Sequence, residues 1–133
     1  MDNQMSSSIS TTSITLLEAT SELADSLLQS EPFLRLHQAE QIVQTNPEAI
    51  KLLSEFSTLQ KQFQSTRLSG SIAEGDIQRF REVQSEIGMN EVIQEQRLAQ
   101  ELAIALLRQV NQEITQLLGI DFGALTRRSG GCC

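Results

Sequence analysis

Leu16, Leu17, Leu23, Ala24, Leu27 and Leu28 recur at steps that gather them on one face of a helix beginning near Ser13. Thr20 shares that face and weakens the stripe without breaking it. Ser13 is suited to accept hydrogen bonds from the free amides of the first turn. Ser30-Glu31-Pro32 interrupts the pattern, and Pro32 fits the first turn of a second helix, where its missing N–H is not needed. That helix turns Phe33, Leu36, Ala39 and Val43 inward. The sharpest start is Asn46-Pro47-Glu48-Ala49: Asn46 caps, Pro47 presets φ, and Glu48 complements the positive end of the dipole. Ala49, Leu52, Phe56, Leu59, Phe63 and Thr66 then follow in alternating three- and four-residue steps, the seam of a coiled-coil hairpin. Gly70, between Ser69 and Ser71, suits a left-handed stop. A shorter helix over 74–87 buries Ile77, Phe80, Val83 and Ile87, and Gly88-Met89-Asn90 breaks and recaps the chain. The last helix runs from Asn90 to Leu118 with Ala99, Leu102, Leu106, Val110, Ile114 and Leu117 on one side. At ~1.5 Å per residue it is about 40 Å long, and Gly119 closes it.

No stretch shows the alternation, β-branched clustering or Asn-Gly turns of strands. The expectation is an all-α fold, a helical bundle of about five helices built around a long antiparallel helical hairpin. Residues 1–12, polar and without period, read as a flexible tail, 13–119 as the helical domain, and 120–133 as a second flexible tail with a terminal cysteine pair. Between Leu102 and Leu107 the last helix is apolar nearly all round, as in a helix central to its bundle or packed on a second chain. Leu102, Ile104, Leu106, Leu107 and Val110, with Phe56 and Phe63 of the hairpin, are therefore the candidate interface residues.

Composition narrows the function. With 133 residues the chain is one domain, able to bury about two-thirds of its unfolded surface. Ten Lys and Arg against 17 Asp and Glu give a net charge of −7, which argues against direct nucleic-acid binding and against an anionic membrane surface. Arg79 with Arg81 and Arg127 with Arg128 are too thin a basic footprint to change that. His37 is the single histidine, with Glu40 and Gln41 nearby; a carboxylate-bridged metal site on helices needs more than one, so it reads as a rim residue. Glu18/Glu22, Glu82/Glu86 and Glu91/Glu95 are carboxylate pairs on polar faces, without the cleft that acid–base catalysis requires. No phosphate loop, nucleophile triad or His-Glu-x-x-His is present, and no catalytic residue is assigned. Phe56, Phe63 and Phe80 lie on helical stripes, where core packing outweighs base stacking. The longest apolar run, Leu102 to Leu107, is too short for a bilayer. The first residues lack the basic and apolar regions of a secretory signal, and two cysteines together in the tail cannot staple a fold. The expected location is the cytoplasm.

Arg127-Arg128-Ser129-Gly130-Gly131-Cys132-Cys133 is the most unusual segment, because nearby positive charge favours thiolate. Cys132 and Cys133 are candidates for metal, cluster or redox chemistry. An iron–sulfur cluster takes about four thiolates, so one held here is shared with a partner or second subunit. A double-prenylation signal and a reactive tail without a task are the other readings of the same residues.

Ser30-Glu31, Ala39, Asn46-Pro47-Glu48-Ala49, Phe56, Gln60, Phe63-Gln64, Gly70, Gly88-Met89-Asn90-Glu91-Val92-Ile93 and Gln96 together resemble, in order and spacing, the YlbF/YmcA family of small bacterial helical regulators. The resemblance runs from about Leu23 to Leu118. It implies a non-enzymatic adaptor working through protein–protein contacts, of the kind that steers ribonuclease Y in messenger RNA maturation and decay and so affects competence, sporulation and biofilm formation. It further implies protein partners, the chain itself, a paralogue or a ribonuclease Y complex. Some members carry a cysteine-bearing C-terminal tail implicated in iron–sulfur binding with partners; Cys132 and Cys133 match its location but are adjacent rather than spaced. An iron–sulfur or redox-sensing subunit is thus the alternative function.

Overall fold

The computed structural model describes residues 3–121, 123 and 124, with side chains from Ser13 onward. Five helices occupy nearly all of them: α1 (Asn3–Gln29), α2 (Glu31–Thr45), α3 (Pro47–Arg67), α4 (Glu74–Met89) and α5 (Glu91–Leu118). The fold is all-α, with no strand among the described residues.

The breaks fall where the chain chemistry demands them. Asn46 and Asn90 each adopt an extended backbone conformation and cap the helix that follows: Asn46 Oδ1 accepts from Ala49 N at 2.9 Å, and Asn90 Oδ1 accepts from Ile93 N at 3.1 Å. Gly70 at φ 97° and Gly119 at φ 70° take the left-handed conformation after α3 and α5, which a side chain disfavours. Ser30 separates α1 from α2 but does not cap; its hydroxyl turns back to Leu27 O at 2.5 Å.

Single-residue breaks make α2 with α3 one arm, and α4 with α5 another, joined by the connection after Arg67. The arms run side by side, α2 packing chiefly on α5 and α3 on α4. This is the expected antiparallel hairpin, each arm broken once. Val43, Ala49, Leu52 and Ile93 form the buried cluster between the arms, with Leu53, Ile87 and Val92 against it. Ala39 of α2, Ala99 and Ala103 of α5, Leu59 of α3 and the fully buried Val83 of α4 continue the core in both directions.

Three findings depart from or add to what the sequence pattern predicts. First, α1 begins at Asn3 and not at Ser13, so the stretch read as a flexible tail is helical from there. Ser and Thr cost only about 0.5 kcal/mol each in a helix, and neither Pro nor Gly stands before Ser30 to stop one. Second, the apolar stripe of α1 is not buried: Leu16 and Leu17 are 66% and 69% exposed, and Leu23 and Leu28 are exposed as well. The principal neighbour of α1 is α2, which meets it beside the Ser30 break and leaves residues 13–26 exposed. Third, Leu117 is 85% exposed although it continues the inward side of α5. At 28 residues α5 outruns the 15-residue α2, its main neighbour. No helix among the described residues is long and apolar enough to cross a membrane.

Candidate protein-interaction surface

The exposed apolar residues fall into distinct surfaces. On α1, Leu16, Leu17, Leu23 and Leu28 lie along the stripe that the helical period creates. On α5, Leu98 and Leu102 stand on one flank of the buried Ala99–Ala103 line, and Ile104 and Leu107 on the other. Leu102, Ile104 and Leu107 are 39%, 38% and 43% exposed, so the centre of α5 carries grease on both sides of its buried seam. Leu106 and Val110 are half-buried and belong to that seam. Leu98 and Leu34 were missed as surface residues in the sequence, because nothing in a helical period says which neighbour is absent.

Where α1 meets α2, an open groove of about 410 Å³ is lined by Leu28, Phe33, Leu34, Leu36, His37 and Glu40. His37 stands at its rim with Nε2 3.2 Å from Gln41 Nε2, a contact within one turn of α2. It occupies the rim position expected of it.

Phe56 and Phe63 point elsewhere. Both clasp Phe80 across the α3–α4 seam: Phe56 stacks on it with centroids 5.2 Å apart, and Phe63 meets it edge-on at 4.9 Å. Their half-buried rings hold the hairpin closed within the chain.

Two arginines tie the arms together. Arg35 of α2 donates to both carboxylate oxygens of Glu95 on α5, at 2.7 and 3.0 Å. Arg79 of α4 does the same to Glu55 of α3, at 2.6 and 2.9 Å, and its Nη1 also reaches Glu82 and Glu86 at 3.2 and 3.3 Å. These fork-to-carboxylate contacts hold the Glu55 and Glu95 carboxyls below the usual glutamate range, mainly through the arginine hydrogen bonds, with partial burial opposing and the arginine charge adding to the shift. Glu82, Glu86 and Glu95, seen in the sequence as members of carboxylate pairs, are thus ion-pair partners. The Arg35–Glu95 contact spans 60 residues and left no sequence signal; the i, i+3 spacing of Arg79 and Glu82 was the only visible hint of the second network.

Among the described residues no group of three or more His, Cys, Asp or Glu side chains could hold a metal ion. Cys132 and Cys133 lie outside the described residues. Two thiols fall short of the roughly four ligands that an iron–sulfur cluster takes, so the donor set of this chain alone does not fit such a group.

The family model described as control of competence regulator ComK, YlbF/YmcA, matches residues 16–118. No curated protein matches the chain. Among solved structures it is similar to Bacillus subtilis RicA, crystallised in complex with RicF, with a TM-score of 0.73 and 21% identity over 80% of this chain and 96% of that one. At that identity the likeness is one of fold. The family match opens at Leu16, so the uncovered stripe of α1 is inside the matched region along with both arms of the hairpin. From the first exposed leucine pair of α1 to the last turn of α5, the chain belongs to the YlbF/YmcA family of regulators.

Proposed function

We propose that this chain is a cytoplasmic, non-catalytic adaptor that pairs with a helical chain of its own kind, a second copy or a paralogue, and acts as part of that assembly. The observation that carries the reading is the exposure of the α1 stripe at Leu16, Leu17, Leu23 and Leu28. A helix with so many Ser and Thr and so little tertiary packing is marginal alone, because helices in proteins draw most of their stability from a packed face. Burying each leucine is worth about 2 kcal/mol, so a partner helix laid on α1 stabilises it and gains affinity together. Leu98 and Leu102 on α5 offer further apolar area for the same assembly. RicA, whose fold this chain shares, was crystallised with a protein partner, and that supports the same reading.

The task of the assembly, on the family resemblance, is to steer ribonuclease Y in messenger RNA processing. A net charge of −7 favours contact with the proteins of such a complex over contact with RNA. Light scattering after size exclusion, on the chain alone and mixed with each family paralogue of its own cell, tests the pairing. A mass above that of one chain is expected, reverting to one chain in Leu16→Glu/Leu17→Glu. A strict monomer that joins no paralogue overturns the adaptor reading. Transcript mapping in a deletion strain tests the ribonuclease link, and unchanged processing removes it.

A further inference from the structure

The apolar face of α1 reads nearly the same in both directions. Leucine pairs stand at each end, Leu16-Leu17 and Leu27-Leu28, about three turns apart. Thr20, Leu23 and Ala24 lie between them on the same face. Turned end for end about position 22, the leucine pairs exchange places and Thr20 exchanges with Ala24. An antiparallel copy of the helix therefore sets leucine against leucine at both ends of the stripe, which is the self-complementarity that a two-fold contact requires.

Charge is arranged for the same contact. Glu18, Glu22 and Asp25, at i, i+4 and i+7, form one stripe on the far side of the helix from the leucines. Ala19, Ser21 and Ser26, which flank the leucine face, are small and uncharged. Two chains of net charge −7 repel one another, yet on this face they meet with their α1 carboxylates turned to water. A basic partner would find no carboxylate along these flanks to pair with. Antiparallel helices also bring opposite dipole ends together.

The stripe ends in a concavity. Leu28 belongs to it and also lines the groove of about 410 Å³ at the α1–α2 elbow, with Phe33, Leu34 and Leu36. In the antiparallel overlay, the opposite end of the stripe arrives at Leu28. We propose that a second copy of this chain lays its α1 antiparallel on this one, with the two-fold axis near Glu22. Leu16 and Leu17 of the partner subunit then close the elbow groove, and the contact is repeated at the other end. The area suffices. Leu16, Leu17, Leu23, Leu28 and Leu34 are between 39% and 69% exposed and offer on the order of 100 Å² each. Both copies together bring roughly 1,000 Å² from leucine alone, close to the ~1,200 Å² at which stable interfaces begin, and Thr20, Ala24 and Phe33 add to it. This contact rests on the pairing through α1 proposed above and specifies its partner as a second copy.

Disulfide mapping on the full chain with Cys132→Ser and Cys133→Ser tests the register. Leu17→Cys and Leu28→Cys are made as separate proteins and oxidised with diamide, singly and mixed. In the antiparallel pair, position 17 of one copy faces position 28 of the other, while like positions are about 15 Å or more apart along the axis. The mixed disulfide is expected in about tenfold excess over either self-disulfide. Self-disulfides as abundant as the mixed one overturn the register and leave a pairing through α1 standing. Spin labels at Glu22→Cys and Gln29→Cys give a second reading from the face turned away from the contact. The distance between Gln29 labels should exceed that between Glu22 labels by several ångströms, because only the latter lie near the axis; equal distances contradict the proposal. A chain that is monomeric by light scattering but joins a paralogue overturns the second-copy assignment while the adaptor reading survives. A dimer that persists in Leu16→Glu/Leu17→Glu overturns both.

Discussion

Asn46 and Asn90 perform the same act on opposite arms of the hairpin: each interrupts a helix, and each side-chain oxygen accepts the amide three residues on. Val43 and Ala49 flank one break, Ile87 and Ile93 the other, and all four meet in the single cluster between the arms. The two caps therefore position the same core from both sides. Gln94 Nε2 bridges the second break by donating to Ile87 O at 3.0 Å.

Replacing either cap tests that arrangement. Asn46→Ala and Asn90→Ala should each cost about 1 kcal/mol, and Asn→Asp at the same positions much less, because the carboxylate still accepts the amide. Urea unfolding followed by circular dichroism reads the difference as a shifted midpoint. The shared cluster predicts that the double variant departs from the sum of the singles. Unaltered midpoints would mean that packing alone sets the breaks.

The aromatic clasp makes a second prediction. Phe80→Leu keeps apolar volume but loses both ring contacts, and should destabilise by about 1–2 kcal/mol. In a double-mutant cycle with Phe56→Leu, part of that loss disappears, since the stacked pair is already broken. Strict additivity in thermal or urea melts would show that the rings act only as bulk.

Acid should loosen the hairpin at both ion pairs. Glu55 and Glu95 titrate below the ordinary glutamate value of 4.5 when folded, so their contribution is complete above that value and fades as pH falls through the lower folded ones. Melting temperature is expected to drop on acidification below about pH 4.5, less steeply in Glu55→Gln/Glu95→Gln. High salt should narrow the gap between wild type and variant at neutral pH, because these side chains are partly solvated. Parallel pH curves for the two proteins would rule the pairs out as its source.

Thr115 presents the opposite case. Its hydroxyl oxygen is buried and has no hydrogen-bond partner. Thr115→Val preserves the shape and removes the stranded polar group, and should stabilise the protein by about 1 kcal/mol in urea melts. A lower midpoint in the valine variant would show that the hydroxyl is bonded in solution.

Helix number, the Asn46 and Asn90 starts, the stops at Gly70 and Gly119 and the inward run Ala49–Leu52–Leu59 were all legible along the chain. Each depends on chemistry within about one turn: a side-chain oxygen, a fixed φ, a missing Cβ or a helical period. Two of the candidate interface residues, Phe56 and Phe63, were legible as apolar but not as the clasp on Phe80, since a stripe does not name its neighbour. For the same reason the leucines of α1 read as one apolar face, without a sign of what covers it. Only the tertiary structure decided that α2 lies along α5 while the leucines of α1 and the last turn of α5 at Leu117 and Leu118 stay exposed, because helix lengths and the single-residue breaks determine what packs on what. Arg35 finding Glu95 is a contact of the same kind: two residues 60 apart in sequence that meet only once the arms are folded together.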